Sequence, residues 1–477
     1  MKKYHVFSAL LVASAVAIGA NSAGAGEAHK GIAGPFATPM DVTKKCLECH
    51  PDAAEIMKTT HWTWSMKQDL GKGMVERGKK NLINNFCIAI ASNWPRCTSC
   101  HIGYGWKDAN FDFNDKSRID CLVCHDTTGT YKKAPPAAGM PFGFTGNPEA
   151  DKKPVDLVKV AQAVGKPGRA NCVACHGFGG GGDNVKHGDI DSTSPKTTAA
   201  VDVHMGTDGL NFSCQECHKA PKHNIKGNAM VVTPAGGNHI DCTDCHDAAP
   251  HKNANLNKHT ATVACQTCHI PVYAKSTPTK LSWDWSTAGQ DITPPKDEFG
   301  KETYAKIKGN FKWGKNVVPT YLWFNGKGSA YQPGDKIDPA KVTKLNWPLG
   351  SIKDKKAKIY PFKEHTGKQV YDKKNMYFLV PKVWPTGKED KDAYWKNFNW
   401  DAALKAGAQF SGLPYSGEYA FAPTTMYWRL NHMVSPKAEA LKCNDCHSEK
   451  GRLDWKALGY KGDPMKVKGA ARMSKKK

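Results

Sequence analysis

Sixteen of the 17 cysteines in this chain fall into eight copies of one pentapeptide, C-x-x-C-H. The first four are Cys46/Cys49/His50, Cys97/Cys100/His101, Cys121/Cys124/His125 and Cys172/Cys175/His176. The others are Cys214/Cys217/His218, Cys242/Cys245/His246, Cys265/Cys268/His269 and Cys443/Cys446/His447. Two thiols at this spacing can form thioethers with the two vinyl groups of a haem, and the imidazole that follows can reach the iron. Zinc sites also use paired cysteines, but zinc requires no histidine after every pair. Disulfides make no such demand either. The expectation is eight covalently bound haems c.

Motif spacing then limits the fold. Seven motifs begin between residues 46 and 265, and the eighth begins at 443. Haems packed so densely along a chain cannot each own a domain, so they share walls and porphyrin replaces much of the side-chain core. The expected class is a multihaem cytochrome c fold, with mainly short α-helices, extensive coil around a packed haem cluster, and minor β structure. Short helices are expected over 154–164, 52–67 and 436–446, and a loop over Gly177–Gly182. Residues 26–270 form the haem-dense region and 443–477 the eighth site with a basic tail. Between them, residues 271–442 hold nine of the 14 tryptophans and many prolines, and read as an irregular aromatic-rich wrap. Residues 26–477 are expected to form one compact domain.

The N-terminus reads as an export signal spanning residues 1–25. Lys2 and Lys3 precede an apolar run from Val6 to Ala20, and Ala23-Gly24-Ala25 offers a cleavage site before Gly26. No later stretch is long and apolar enough to span a membrane, so a periplasmic protein is expected. The formal charge of +23 raises the question of nucleic acid. Its lysines are spread along the chain apart from Lys475–Lys477, and each haem adds two propionates that offset them. The expected partners are a small anionic substrate and a periplasmic or membrane-associated electron donor, with no nucleic acid.

Eight six-coordinate irons need eight further ligands. Besides His5 in the signal and the eight motif residues, ten histidines remain. His61, His187, His204, His223, His251, His259, His365 and His432 are the expected ligands, with His29 and His239 set aside. An iron held by two imidazoles transfers electrons but offers no open position.

Several segments carry a family resemblance. The lone cysteine in Asn84-Asn85-Phe86-Cys87, the run Gly179 to Asp189 (GGGGDNVKHGD), the approach Pro436–Lys442 into Cys443, and Leu453–Tyr460 resemble the octahaem tetrathionate reductase family over nearly the whole mature chain. The resemblance implies a distal lysine on the haem at Cys97, Cys100 and His101, bis-histidine ligation elsewhere, and action on tetrathionate, nitrite and hydroxylamine. Carried onto this chain, the lysine is Lys186 with Asp183 beside it. Asp156 and Lys159 share the same spacing and stay open as the rival pair. A lysine ligand must be neutral, which calls for a desolvated site. Asp183 could hold the released ammonium. Cys87 is either a buried inert thiol or one that attacks the central S–S bond of tetrathionate. The resemblance also places Asn84 near the site, where its amide could bind a substrate oxygen. Alternative readings are a non-catalytic electron carrier and a hydroxylamine-oxidising enzyme.

Overall fold

The structure is a computed structural model in which residues 24–69, 73–227, 239–387 and 389–467 are described. The expected export signal therefore lies outside the described residues apart from Gly24 and Ala25, as do Lys475–Lys477.

The haem-bearing region is built from single turns. Cys214–Cys217, Cys265–His269 and Cys443–Cys446 are helical only across the motif itself. One turn suffices because residues i and i+3 share a helix face, which presents both thiols to one side. Longer helices occur where flanking residues support them. In helix Pro39–Cys49 a proline opens the first turn, and the Thr38 backbone N–H and hydroxyl both donate to Asp41 at 2.9 and 2.8 Å. Its buried Val42 and Thr43 set the face that points the first motif inward.

The expected helices are found shortened. Leu157–Gln162 is helical, starts from Asp156 as its cap, and buries Leu157, Val160 and Ala161. Over 52–67 the chain instead forms a 3-10 helix, Pro51–Lys58, then one turn, Thr60–Thr63, ended by Trp64 in the left-handed region. The stretch 436–446 is likewise split, into Lys437–Glu439 and Cys443–Cys446.

Residues 271–442 depart from the expected irregular wrap. They contain an eight-stranded sheet made of β1 (Thr279–Asp284), β2 (Tyr304–Ala305), β3 (Gly309–Gly314), β4 (Thr320–Phe324), β5 (Thr343–Lys344), β6 (Lys358–Asp372), β7 (Tyr377–Phe378) and β8 (Tyr419–Arg429). The order is β2-β3-β1-β6-β8-β5, with β4 and β7 also pairing to β6. The spine is the antiparallel β6–β8 ladder, from Phe362↔Arg429 to Asp372↔Tyr419. Ile359, Phe362, Val370 and Tyr371 are buried along β6, where aromatic and branched side chains favour a pleated surface. Against this sheet lies an aromatic core that includes Trp283, Trp285, Phe378, Tyr394, Trp400 and Trp428. The β content is thus larger than expected, and these tryptophans pack on one another. Trp283 stacks on Trp285 at 5.0 Å, and Tyr394 on Trp400 at 3.9 Å.

Among the described residues, no helix is long and apolar enough to cross a membrane.

Candidate functional site

Seven motif histidines have a second imidazole across from them. Two imidazoles on one iron, with metal–nitrogen bonds of ~2.0 Å, place their ring centres on the order of 6 Å apart. The pairs are His29–His50 at 6.1 Å, His125–His223 at 6.2 Å and His61–His176 at 6.0 Å. His218–His432 and His251–His269 are at 6.2 Å, His204–His246 at 6.1 Å and His259–His447 at 6.2 Å.

In several pairs Nδ1 is already engaged, which leaves Nε2 for a metal. His125 Nδ1 is 2.8 Å from the Gly165 carbonyl, His218 Nδ1 is 2.9 Å from that of Lys226, and His259 Nδ1 is 2.7 Å from that of Asn255. His447 Nδ1 meets the Asp463 carboxylate at 2.6 Å. Burial pushes His61, His176 and His218 below the ordinary imidazole range, so they are neutral and fit to donate a lone pair. These residues fit haem on donor type, spacing and protonation.

The pairing revises three expectations. His29, set aside in the sequence, stands opposite His50. His187 lies 6.3 Å from His176, but so placed it competes with His61, which is nearer. His365 is wholly buried on β6 against Phe86, with both ring nitrogens unpartnered and no motif imidazole across from it among the described residues. His239 is ion-paired with Asp241 at 2.9 Å.

The second motif stands apart. Among the described residues no imidazole faces His101 at iron-sharing distance. Its ring is turned into an aromatic cage, with Trp106 at 4.8 Å, Trp62 at 5.1 Å, Trp64 at 5.4 Å and Phe111 at 5.6 Å. His101 Nε2 donates to the Trp62 carbonyl at 2.6 Å, and a nitrogen carrying that proton cannot also give its lone pair to iron. Gly103 permits the inward turn, since a Cβ there would come within 2.8 Å of the His101 ring. His101 Nδ1 has no partner among the described residues and is left for a metal.

Lys186 is brought near this motif as well. Burial pushes its amine down to about 7, further lowered by Lys79 and partly restored by Cys100. Its Nζ lies 4.9 Å from the Trp428 ring centre, and no ion pair to it occurs among the described residues. The Gly177–Gly182 run is close-packed here. A Cβ on Gly180, whose φ is +106°, would lie 3.1 Å from Lys186 Cβ and 3.3 Å from the Phe86 ring. Buried Lys363 on β6 fastens the same loop, donating to the Val185 carbonyl at 2.6 Å and to Thr279 Oγ1 at 2.5 Å. The rival Lys159 is exposed on helix Leu157–Gln162.

The segment Asn84–Ile88 forms the adjoining wall. Asn84 N–H donates to the Ile88 carbonyl at 2.8 Å, and Asn84 Oδ1 accepts from Phe86 N–H at 2.9 Å, closing a tight turn. Ile88 has a φ of +71°, which is strained for a branched residue. Asn85 holds the turn on the sheet. Its amide donates to the His365 carbonyl at 2.7 Å, and its Oδ1 accepts from Thr424 at 2.6 Å. Trp285 Nε1 donates to the Phe86 carbonyl at 3.0 Å. The turn presents Cys87 beside Cys97, and burial pushes the Cys87 thiol up while Lys308, Lys280, Arg96 and Lys79 pull it down. Those four cations were not legible as site residues in the sequence, where lysines are ordinarily solvated surface. Asp183 does not face Lys186 as an ion partner. Its carboxylate accepts from the Ser192 N–H and hydroxyl at 2.8 and 2.6 Å.

Motifs also touch one another. Cysteines of different motifs lie close enough to act on one another in the pairs Cys46 and Cys121, Cys100 and Cys175, Cys172 and Cys214, and Cys242 and Cys265. Cys124 adjoins Cys172 and Cys175, Cys217 adjoins Cys245, and Cys268 adjoins Cys446. The chain of neighbours therefore runs through motifs one, three, four, five, six, seven and eight, with motif two attached at motif four.

Paired thiols followed by imidazoles, most of them matched by a second imidazole, define a multihaem c-type cytochrome. The bacterial cytochrome c family model matches residues 280–450. The crystal structure of octahaem cytochrome c from Shewanella oneidensis superposes with a TM-score of 0.86 at 56% identity, covering 94% of this chain and 99% of that one. An uncharacterized protein of Archaeoglobus fulgidus is 25% identical over 237 residues, which is 40% of this chain and 78% of that protein. The chain belongs to the octahaem cytochromes c.

Proposed function

We propose that this chain is an exported octahaem reductase that acts on small sulfur or nitrogen oxyanions, with tetrathionate foremost and nitrite and hydroxylamine beside it. His101 and Lys186 would hold the second haem and the seven imidazole pairs the others, with a periplasmic or membrane-associated electron donor as partner. The observation that carries the reading is the exception at motif two, where His101 is held in its cage and a buried amine with no ion partner among the described residues lies beside Cys100. When bound, the haems supply stepwise electron transfer and, at motif two, an iron position for the oxyanion.

The protein side of the reaction is simple to balance. Tetrathionate accepts two electrons, its central S–S bond breaks, and two thiosulfate dianions leave without consuming a proton. Cys87 contributes as a thiolate that attacks the disulfide-like sulfur, releasing one thiosulfate; two electrons then release the second and restore the thiolate. Burial holds the Cys87 thiol above its ordinary range and neighbouring cations offset only part of that, so the thiolate that attacks is a minor form. The Asn84 amide N–H group donates to a substrate oxygen.

Steady-state kinetics with a reduced dye on tetrathionate, nitrite and hydroxylamine test the reading. No turnover of any of them, together with eight low-spin bis-histidine signals by electron paramagnetic resonance, leaves an electron carrier in its place. Cys87→Ala is expected to cut tetrathionate turnover about tenfold or more while changing nitrite turnover less than about twofold. Equal losses on both substrates remove the thiol from the chemistry. Intact mass of the purified protein is expected to exceed that of the polypeptide by the mass of eight haems.

A further inference from the structure

The paired imidazoles differ in what their Nδ1 atoms meet. For His125, His218 and His259 the partner is a neutral backbone carbonyl, and for His251 it is the side-chain oxygen of Asn257 at 3.2 Å. Carboxylates stand near three others. His204 Nδ1 is 3.8 Å from Asp202 Oδ1, beyond hydrogen-bond reach. His432 Nδ1 is 3.3 Å from Asp189 Oδ2, and that oxygen already accepts the Asn431 and His432 N–H groups at 2.8 and 3.0 Å. His447 Nδ1 donates to Asp463 Oδ1 at 2.6 Å, which is a full hydrogen bond to a charged acceptor.

The side chains of His447 and Asp463 are only 13% and 11% exposed, so little solvent screens the contact. Asp463 Oδ1 also accepts the Met465 N–H at 2.9 Å, while Oδ2 is buried with no hydrogen-bond partner among the described residues. The ring itself is held from another side. Trp455 stacks on His447 at 5.3 Å, Tyr460 packs on Trp455 at 5.3 Å, and Trp323 on Tyr460 at 6.1 Å. An imidazole whose Nδ1 proton is held by a carboxylate becomes a stronger donor through Nε2, and a stronger donor favours ferric over ferrous iron. Motif eight is joined to motif seven, where the Leu441 N–H donates to the Cys268 carbonyl at 3.0 Å. We propose that Asp463 is a positioning residue which, through His447, holds the eighth haem at the lowest potential of the eight and makes motif eight the donor end of the series. That the series delivers to motif two rests on the reductase reading; the potential does not.

The experiment uses the full holoprotein and two variants, Asp463→Asn and Asp463→Glu, each checked for its haem-to-protein ratio. Asparagine keeps an oxygen that can accept from His447 and Met465 and removes only the charge, whereas glutamate keeps the charge. Potentials are read by redox titration followed by optical absorption, and spin state by electron paramagnetic resonance. In Asp463→Asn the lowest-potential component of the parent is expected to move upward, its ratio of reduced to oxidised form at a fixed potential rising about tenfold, which is about 59 mV for one electron. The other components are expected to stay in place and every bis-histidine signal to stay low-spin. Asp463→Glu is expected to return the moved component to within about threefold of the parent ratio. Unchanged potentials in Asp463→Asn overturn the proposal, and so does a shift in any component but the lowest. An equal upward shift in Asp463→Glu assigns the effect to packing rather than charge and overturns it as well. A parent that reduces no oxyanion but shows the shift keeps the role of Asp463 and discards the reductase reading. A parent that turns over oxyanions and shows no shift does the reverse.

Discussion

Lys186→Leu is expected to lower oxyanion turnover by at least about 100-fold and to change the electron paramagnetic resonance spectrum of a single haem, leaving the other seven as they were. Leucine has comparable bulk and no donor, so the Gly180–Phe86 packing around the side chain survives while the amine disappears. The size of the effect follows from where the amine is. An ordinary lysine is protonated at neutral pH and cannot bind iron, but burial brings Lys186 down to about 7, where a large share of the amine is neutral. The loop cannot easily supply a substitute. Val185 is pinned through its carbonyl by Lys363, and His187 is separately placed against Trp428 at 5.4 Å. His101 Nε2 is engaged by the Trp62 carbonyl. A wild-type spectrum in the variant would move the ligand elsewhere, with Lys159 the first residue to test despite its exposure.

The parts of this site that were legible in the sequence are those where chemistry is local. A thioether pair followed by an imidazole is written into five consecutive residues, so every motif could be read directly. Pairing across an iron is not local. His432 meets His218 and His61 meets His176 because the fold brings distant segments together, and no spacing announces it. His29 looked dispensable near a processed terminus, but the short helix Gly24–His29 delivers it to His50. The sheet was hidden for a different reason. Pro361 and Gly367 in β6 and Pro423 in β8 read as breakers, yet Gly367 is needed there, since a Cβ would come within 3.2 Å of the Asn85 side chain and 3.1 Å of the Trp283 carbonyl. That glycine lets the Asn84–Ile88 turn sit on the sheet, so the element the sequence obscured is the one that positions Cys87. Lys280 was equally hidden, because only tertiary packing encloses a lysine among aromatic rings and, by desolvation, pushes its amine down to about 6.

His61→Met is expected to slow turnover at the second motif about tenfold or more without altering the spectrum of the second haem. The argument runs through motif four. Its cysteines lie close to Cys100 of motif two and Cys214 of motif five, and Cys124 of motif three adjoins them. The cysteine neighbours that link motif two to the rest lie in motif four, whose haem His61 and His176 would hold. A thioether is a poorer donor to oxidised iron than an imidazole, so the exchange raises the potential of that haem, by a fraction of the ~0.8 V that axial ligands can span. Electrons then rest on the branch haem instead of moving on to the second. A redox titration followed by optical absorption would show one haem shifted upward. Single-turnover oxidation by substrate would show the delay. The matching His187→Met variant separates the two imidazoles near His176, since it should leave every potential in place. If the shift follows His187 instead, His187 is the true partner of His176, and His61 lies outside the electron route.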